Sequence, residues 1–256
     1  MTVVAVLAGK ASPGATTVAA AVTLTWPRPV LLVDADPAGG DVVPGLLPGR
    51  VSTESGLLSW SVATRHLPAL AAAGLIGEHA VALAEAGDAW VLPGLQSSTQ
   101  AGALTGGGWG RLATAVERCP SVIGRDVLVD VGRLGEASCW PVLAACDVVL
   151  LVVRPTARSV QGALSAVRLL RTRLGDLAAV QLVINGHGPY TPAQTGAALE
   201  VAVAATLPGD DRAAAALVDG ATAPVLRMTR TRLVVQAAGL ARRLCADVTT
   251  PVGVPQ

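Results

Sequence analysis

A nine-residue segment near the amino terminus, Gly9 to Thr17 with the sequence GKASPGATT, has the spacing of a loop that binds phosphate. Such loops read G-x-x-x-x-G-K-[ST] and lie between a strand and a helix. Gly9, Gly14 and Thr16 occupy their expected positions. Successive backbone N–H groups in such a loop form a nest for anions, and the next helix adds its positive N-terminal end. The segment therefore predicts a phosphate site in which the hydroxyl of Thr16 would bind Mg²⁺.

The segment departs from this pattern at Ala15, where the lysine that contacts the β- and γ-phosphates is expected. Lys10 stands five residues earlier and is the only lysine among the 19 basic residues of the chain. Arginine and lysine are not interchangeable beside closely packed phosphates. The use of a lysine at this one position therefore favours a function for it. The alternative is a glycine-rich turn that binds no ligand.

Seven short apolar runs alternate with longer helical patterns along the chain. The runs cover residues 2–8, 29–34, 89–92, 126–131, 147–153, 179–184 and 201–207. Continuous apolar runs are typical of strands buried on both faces, and their alternation with helices favours a parallel sheet with right-handed crossovers. No linker divides the pattern. We expect a single domain over residues 1–256, with a flexible C-terminal tail from about 246 to 256.

The composition excludes several classes of protein. Apolar residues form 52% of the chain and charged residues 14%, which excludes a disordered protein. The net charge of +1 gives no strong attraction to nucleic acids or anionic membranes. No apolar run reaches the ~18 residues of a membrane span, and no basic region precedes the first run as in a signal peptide. The four cysteines show no metal-ligand spacing and predict reduced, buried thiols in a cytoplasmic protein.

The segment 10–17 resembles the loop K-G-G-x-G-K-T-T of the ParA/MinD superfamily of deviant Walker A ATPases, which includes the TadZ/CpaE proteins. The resemblance implies that Lys10 reaches across a nucleotide-bound homodimer to the phosphates of the partner. Ala15 departs from the family's second lysine. The loop residues implied to bind ATP are Gly9, Lys10, Ser12, Pro13, Gly14, Ala15, Thr16 and Thr17.

Two acidic segments match further motifs of this family. VLLVDADPAGGD resembles V-L-L-I-D-x-D-P, which implies that Asp34 lies beside the Mg²⁺ and Asp36 beside the attacking water. RDVLVDVGRLG resembles the Walker B and switch II region. There Asp130 would hold the Mg²⁺ shell through water, and Gly132 could donate its N–H to the γ-phosphate. Arg133 could swing toward that phosphate as an arginine finger does in cis.

Later motifs indicate where the adenine would lie. LVING places Asn185 at the position of the family's adenine-recognising asparagine, although Gly186 replaces the arginine that often follows. LPGDDRAAAALVDGA resembles the family's I-P-x-D loop, in which Pro208 would border the adenine. The resemblance extends from residue 3 to about residue 220 and implies a three-layer α/β P-loop NTPase fold with a mostly parallel central sheet of about seven strands.

The resemblance implies an ATP- and Mg²⁺-binding homodimer that positions chromosomes, septa, or a pilus or secretion machine through an unidentified protein partner. The missing lysine predicts slow hydrolysis, because one cation on the γ-phosphate is lost. The alternative is a catalytically inactive scaffold of the TadZ/CpaE type. A small-molecule ligase on the same fold, similar to dethiobiotin synthetase, has no second-substrate motif in its support.

The C-terminal region leaves one alternative open. Its arginines could bind DNA weakly and non-specifically, or they could be the solvated face of a helix that packs Leu233, Val234 and Leu240 on the sheet. These arginines are Arg227, Arg230, Arg232, Arg242 and Arg243. The chain then ends CADVTTPVGVPQ, without the amphipathic pattern of a membrane-surface helix, so we expect no direct membrane anchoring.

Overall fold

The computed structural model describes residues 1–10, 12–83, 87–105, 107–175, 178–220 and 230–247. Most of the expected flexible tail, residues 248–256, lies outside the described residues. A single sheet forms the centre of the molecule. Its strands are β1 (Val3–Ala8), β2 (Val30–Asp34), β3 (Val81–Ala82), β4 (Ala89–Leu92), β5 (Asp126–Arg133), β6 (Val148–Val153), β7 (Ala179–Asn185) and β8 (Val203–Leu207).

Helices cover both faces of this sheet. The α-helices are α1 (Ala15–Thr23), α2 (Val42–Leu46), α3 (Leu57–Thr64), α4 (Ala69–Leu75), α5 (Gly108–Val122), α6 (Trp140–Ala144), α7 (Ala157–Leu174), α8 (Pro192–Leu199), α9 (Asp211–Val218) and α10 (Arg232–Asp247). Two short 3₁₀-helices, Ile76–His79 and Ser98–Leu104, lie in the connections.

The strand order in the sheet is β3-β4-β2-β5-β1-β6-β7-β8. All neighbouring strands are parallel except β3 and β4, which are antiparallel. The predicted three-layer α/β fold with a mostly parallel sheet is confirmed, and each of the seven apolar runs contains a strand. The eighth strand, β3, was not predicted, because two residues are too few to give a periodic pattern.

Strand β1 shows how the core is divided between the two faces. Val3, Ala5 and Leu7 pack on one face, together with residues of α3 to α8. The alternate residues Val4 and Val6 pack on the other face, with residues of α1, α2, α9 and α10. Because successive strand residues point to opposite faces, a strand covered on both sides must be apolar throughout. This is why the apolar runs in the sequence are continuous.

The topology brings the predicted site residues to one edge of the sheet. Strand β1 lies between β5 and β6, and all three are parallel. The carboxyl ends of β1, β2, β5, β7 and β8 therefore lie along the same edge, where open α/β sheets bind ligands. The phosphate-loop segment follows β1 directly.

The C-terminal helix and the cysteines agree with two of the predictions. Leu233, Val234 and Leu240 of α10 are buried, as the packing interpretation required. Arg227 lies outside the described residues, and DNA binding stays untested. All four cysteines are buried, and none of them forms a disulfide bond in the described structure. Within the described ranges, no helix has both the length and the apolar character to cross a membrane.

Candidate functional site

The phosphate-loop segment is held in shape by Gly14 and Asn185. Gly14 has a φ of 94°, a left-handed conformation that residues with a Cβ rarely adopt. The side-chain Nδ2 of Asn185 donates a hydrogen bond to the carbonyl oxygen of Pro13 at 2.7 Å. A Cβ on Gly14 would lie only 2.7 Å from that same Nδ2. Gly14 is therefore required both by the turn and by the contact with the end of β7.

Helix α1 presents an uncapped N-terminus to this loop. The helix begins at Ala15, no side chain caps it, and no acidic residue lies in its first turn. The first N–H groups of an α-helix have no partner within the helix and carry partial positive charge. An uncapped end that adjoins a glycine-rich turn has the donors and the polarity to bind a phosphate group.

The two residues relevant to the missing lysine lie in different environments. Ala15 is only 7% exposed and packs in the hydrophobic core beneath α1. Lys10 is exposed, and no carboxylate of the described residues lies within ion-pair distance of its ammonium group. The loop of a single chain therefore has no lysine at the helix N-terminus, and its one lysine has no acidic partner in the described part of the chain.

Two buried carboxylates lie side by side where β2 ends next to β5. Asp34 and Asp130 are aligned in register on these adjacent strands, and they are 0% and 1% exposed. Asp130 accepts a hydrogen bond from the N–H of Gly132 at 3.0 Å, and the hydroxyl of Thr16 is close enough to lower the pKa of Asp130. The Oδ2 atom of Asp34 is buried without a hydrogen-bond partner among the described residues. Thr16, Asp34 and Asp130, the predicted metal ligands, are thus brought together.

Burial raises the pKa values of these carboxyl groups. The pKa of Asp34 lies well above its usual value, because of burial first and the charge of Asp130 second. Burial raises the pKa of Asp130 to about 6, although the hydroxyl of Thr16 and the N–H of Gly132 partly oppose the shift. The pKa of Asp36 is raised by burial and lowered in part by Arg133. Burial, with a smaller effect of neighbouring like charges, produces such shifts when no cation is present, so a bound cation would stabilise the ionised form of these carboxyl groups.

These residues do not form a complete metal cage by themselves. No group of three or more His, Cys, Asp or Glu side chains in the described residues is arranged to hold a metal ion. Mg²⁺ usually binds through one or two carboxylates, waters and the phosphates of a substrate. The unpaired oxygen of Asp34 and the hydroxyl of Thr16 fit such a site, provided that a phosphate supplies further oxygens.

A cleft of about 240 Å³ opens beside the loop, at the ends of β7 and β8. Four predicted binding residues line it: Gly14, Thr17, Asn185 and Pro208. The phosphate-loop segment and the two predicted adenine-binding positions therefore share one cavity.

The cleft also has polar residues that the sequence analysis did not identify. They are Arg154, His187, Asp210 and Asp211. Two of them could have been found, because Arg154 directly follows the apolar run 147–153 and Asp210 stands in the matched I-P-x-D loop. The carboxylate of Asp210 caps α9 by accepting a hydrogen bond from the N–H of Ala213 at 2.9 Å.

No protein-family model matches the chain, and no curated protein does. Solved structures do match. A ParA family ATPase from Chlorobium tepidum superposes with a TM-score of 0.77 at 16% identity, over 94% of this chain and 98% of that one. The chain has the fold of the ParA and MinD ATPases.

Two MinD structures show the same similarity. A chain of the MinC:MinD cell division complex from Aquifex aeolicus gives a TM-score of 0.73 at 17% identity, over 100% of this chain and 99% of that one. MinD from Pyrococcus horikoshii, complexed with Mg-ADP, gives 0.67 at 17%, over 98% and 99%. At such identities only the fold is shared with certainty, so the chemistry must be argued from this chain's own residues.

Within this ParA/MinD-like fold, three predicted residues have contacts that the sequence did not indicate. The N–H of Gly132, expected to reach a γ-phosphate, donates to Asp130 instead. The Nδ2 atom of Asn185, expected at the adenine, is bound to the loop. Arg133 is exposed at the end of β5, close enough to Asp36 to lower its pKa. The proposed roles of these residues stay predictions, and a ligand would have to compete for the first two donors.

Proposed function

We propose that this chain is a member of the ParA/MinD superfamily that binds ATP with Mg²⁺ at the segment 9–17. One observation carries the proposal: an uncapped helix N-terminus follows a left-handed glycine, beside two buried carboxylates of which one oxygen has no partner in the described structure. A glycine-rich turn that binds nothing would gain no stability from burying Asp34 against Asp130, because uncompensated buried charge is costly. A ligand that brings both phosphate and a divalent cation would supply an acceptor for the N–H groups of the helix N-terminus and a positive charge for the carboxylate pair.

Different residues would bind the phosphates, the base and the Mg²⁺. The N–H groups at the start of α1 would bind the phosphates, and the cleft lined by Asn185 and Pro208 would accept the base. Thr16, Asp34 and Asp130 would hold the Mg²⁺, which would neutralise phosphate charge when bound. MinD from P. horikoshii was solved with Mg-ADP, and McdA from Cyanothece with ATP. Both similarities support a nucleotide as the ligand.

We expect hydrolysis to be slow. Asp36 would orient the attacking water, but Ala15 supplies no cation for the oxygens that gain charge as the terminal phosphoryl group leaves. Removing one preorganised donor of this kind costs about 10²–10³ in rate. Two cations could substitute: Arg133 in the same chain and Lys10 from the partner subunit of a homodimer formed around the nucleotide.

The proposed cellular role is positioning, in the cytoplasm, of a large cargo through a protein partner. The similar structures include proteins of cell division and a plasmid partition protein from Borrelia burgdorferi. Fold similarity alone is a weak argument for a cellular role, so the identity of the cargo is left open. A scaffold that binds nucleotide without turnover is the second candidate, and the buried position of Ala15 in the core favours it.

Calorimetry with Mg-ATP tests the proposal. We expect Mg²⁺-dependent binding to the wild type and its loss in Asp130→Ala, whereas Asp219→Ala, which removes an exposed carboxylate at the end of α9, should bind as the wild type does. Absence of both heat and thermal stabilisation at millimolar Mg-ATP would refute nucleotide binding.

Turnover measured on the same samples separates the two candidates. A slow ATPase should lose its residual activity in Arg133→Ala or Lys10→Ala, since each removes a proposed cation. Brisk turnover that survives both substitutions would contradict the account of the loop. Binding without any turnover would identify the scaffold.

A further inference from the structure

Helix α7 packs directly on the first two residues of the phosphate-loop segment. At Gly9, an added Cβ would lie 2.7 Å from the carbonyl oxygen of Gly162 and 2.9 Å from the Cβ of Ala166. A Cβ added to Gly162 would overlap the Cβ of Lys10 and come within 3.4 Å of its Cα and Cγ. Such separations cannot be accommodated without movement of the backbone. The loop therefore reaches this position only because α7 has no side chain at residue 162.

Helix α7 is the rigid member of this contact. Its buried face includes Gly162, Ala163, Ala166 and Leu170, which pack against the sheet. The hydroxyl of Ser159, in the first turn, accepts a hydrogen bond from the N–H of Arg154 at the end of β6. A helix fixed along its length and at its start will not yield to a small overlap. The short glycine-containing loop will move instead.

The contact with Gly162 sets the direction of the Lys10 side chain. Its Cβ is pressed against Gly162, while the side chain as a whole is exposed. No carboxylate of the described residues pairs with its ammonium group. The direction of the side chain is therefore set by packing at the Cβ and not by an ion pair at its end.

We propose that Gly162 is a positioning residue for Lys10. By allowing the backbone of Lys10 to lie on α7, Gly162 presents the ammonium group outward, to the phosphates bound by a second copy of this chain. The inference rests on the proposed nucleotide-dependent homodimer, but the contact itself exists in the single chain and can be tested there.

The first test uses the fact that Lys10 is the only lysine. Reductive methylation with ¹³C-formaldehyde labels two amines, the N-terminus and Lys10, so that one of the two NMR signals reports the surroundings of Lys10. Without nucleotide, Gly162→Ala should shift the Lys10 signal and leave the N-terminal signal unchanged. The matched control is Gly239→Ala in α10, where an added Cβ would meet nothing within 4 Å; neither signal should shift there. A Lys10 signal identical in Gly162→Ala and the wild type would overturn the proposal.

The second test measures dimerisation with Mg-ATP by light scattering. Gly162→Ala should weaken the dimer about 10- to 100-fold, the effect of losing a hydrogen bond to a charged group, while Gly239→Ala should match the wild type. The affinity of the separate protomer for Mg-ATP should fall less than the dimer affinity does, because the three atoms nearest to the added Cβ all belong to Lys10. A wild type that does not dimerise with ATP would refute the proposed function, and the labelling result would still decide the inference. A wild type that dimerises together with an equally strong Gly162→Ala dimer would refute the inference alone.

A double variant keeps the proposal testable if Gly162→Ala does not fold. Lys10→Gly removes the Cβ with which the new methyl group overlaps. The Lys10→Gly, Gly162→Ala protein should therefore fold, and it should dimerise as weakly as Lys10→Gly alone. A double variant that stays unfolded, or that is weaker than Lys10→Gly, would show that residue 162 acts through other contacts and would overturn the proposal.

Discussion

Strand β5 has two buried aspartates, four residues apart, in opposite electrostatic surroundings. Asp126, at the start of the strand, is 1% exposed. It accepts hydrogen bonds from the N–H of Thr2 at 2.8 Å, from Nε1 of Trp26 at 2.8 Å and from Nε of Arg28 at 2.7 Å. Asp130, four residues further along the strand, is equally buried but lies beside Asp34 on the adjacent strand β2.

The difference distinguishes a structural carboxylate from a binding one. A buried charge that is paired and hydrogen-bonded contributes to a fixed structure, and breaking the pair is costly. A buried carboxylate with a raised pKa and a like charge beside it is typical of a functional site. Asp126, paired with Arg28, thus stabilises the structure at the amino ends of the strands. Asp34 and Asp130, near the carboxyl ends, have no such cationic partner among the described residues and would be stabilised by a bound cation.

Supplying a cation to the phosphate loop should have the largest effect. We expect Ala15→Lys to raise ATP turnover by about 10²–10³-fold, the size of one preorganised charge at the transition state. The same substitution inserts a long side chain at a position that is 7% exposed, so the free energy of unfolding should fall by about 1–3 kcal/mol. Phosphate release and urea denaturation measure the two effects.

Ala15→Met is the matched control for this variant. Its side chain has nearly the same length without the charge, so it should lose stability similarly and gain no turnover. Equal turnover in the lysine and methionine variants would mean that the absent lysine does not limit hydrolysis.

Removing the structural carboxylate should have the next largest effect. Asp126→Ala leaves the indole N–H of Trp26 and the guanidinium of Arg28 without their acceptor. Because the Arg28 side chain is 35% exposed and water can partly replace its partner, we expect a loss of about 2–4 kcal/mol in the free energy of unfolding. Urea denaturation measures the loss. The affinity for Mg-ATP should not change, since Asp126 lies at the opposite edge of the sheet.

Neutralising Asp130 should raise the free energy of unfolding, whereas removing Asp126 should lower it. The folded pKa of Asp130 is raised from 3.8 to about 6, so the folded state binds the proton more tightly than the unfolded state does. The stability that protonation provides is present at low pH and is lost as the pH rises through about 6. In metal-free buffer, Asp130→Asn should therefore be more stable than the wild type by about 1–3 kcal/mol at pH 7.5 and similar to it near pH 4.

Urea denaturation at a series of pH values, with EDTA present, checks this prediction. Asp219→Asn provides the control, because it removes a carboxylate that is exposed; its stability should follow the wild type at each pH. An Asp130→Asn protein that is less stable than the wild type at pH 7.5 would show that this carboxylate is structural, as Asp126 is.

The sequence predicted the strands and the site residues better than the side-chain contacts between them. Continuous apolar runs identified seven strands, and the family resemblance implied that Asp34 and Asp130 both lie near the Mg²⁺. The hydrogen bond from Asn185 to Pro13 joins residues 172 positions apart, and no local pattern encodes it. The contact between Gly162 and Lys10 is likewise invisible, because a glycine within a helix has many explanations until the neighbouring backbone is known.

The smallest predicted effect concerns Arg154, which lines the cleft beside the loop. It follows β6, its side chain is exposed, and no carboxylate of the described residues lies within ion-pair distance. An exposed cation near a phosphate contributes modestly in water, so Arg154→Ala should weaken Mg-ATP binding by roughly 2- to 5-fold. The control is Arg168→Ala, which removes the same charge from an exposed position on α7. Calorimetry at two salt concentrations separates a local contact with the phosphate from the long-range electrostatic attraction of the whole protein. Salt screens both effects, but only Arg154→Ala should still bind more weakly than the wild type at high salt. Equal affinities in the two variants would exclude Arg154 from the site and leave the loop and the carboxylate pair as its charged parts.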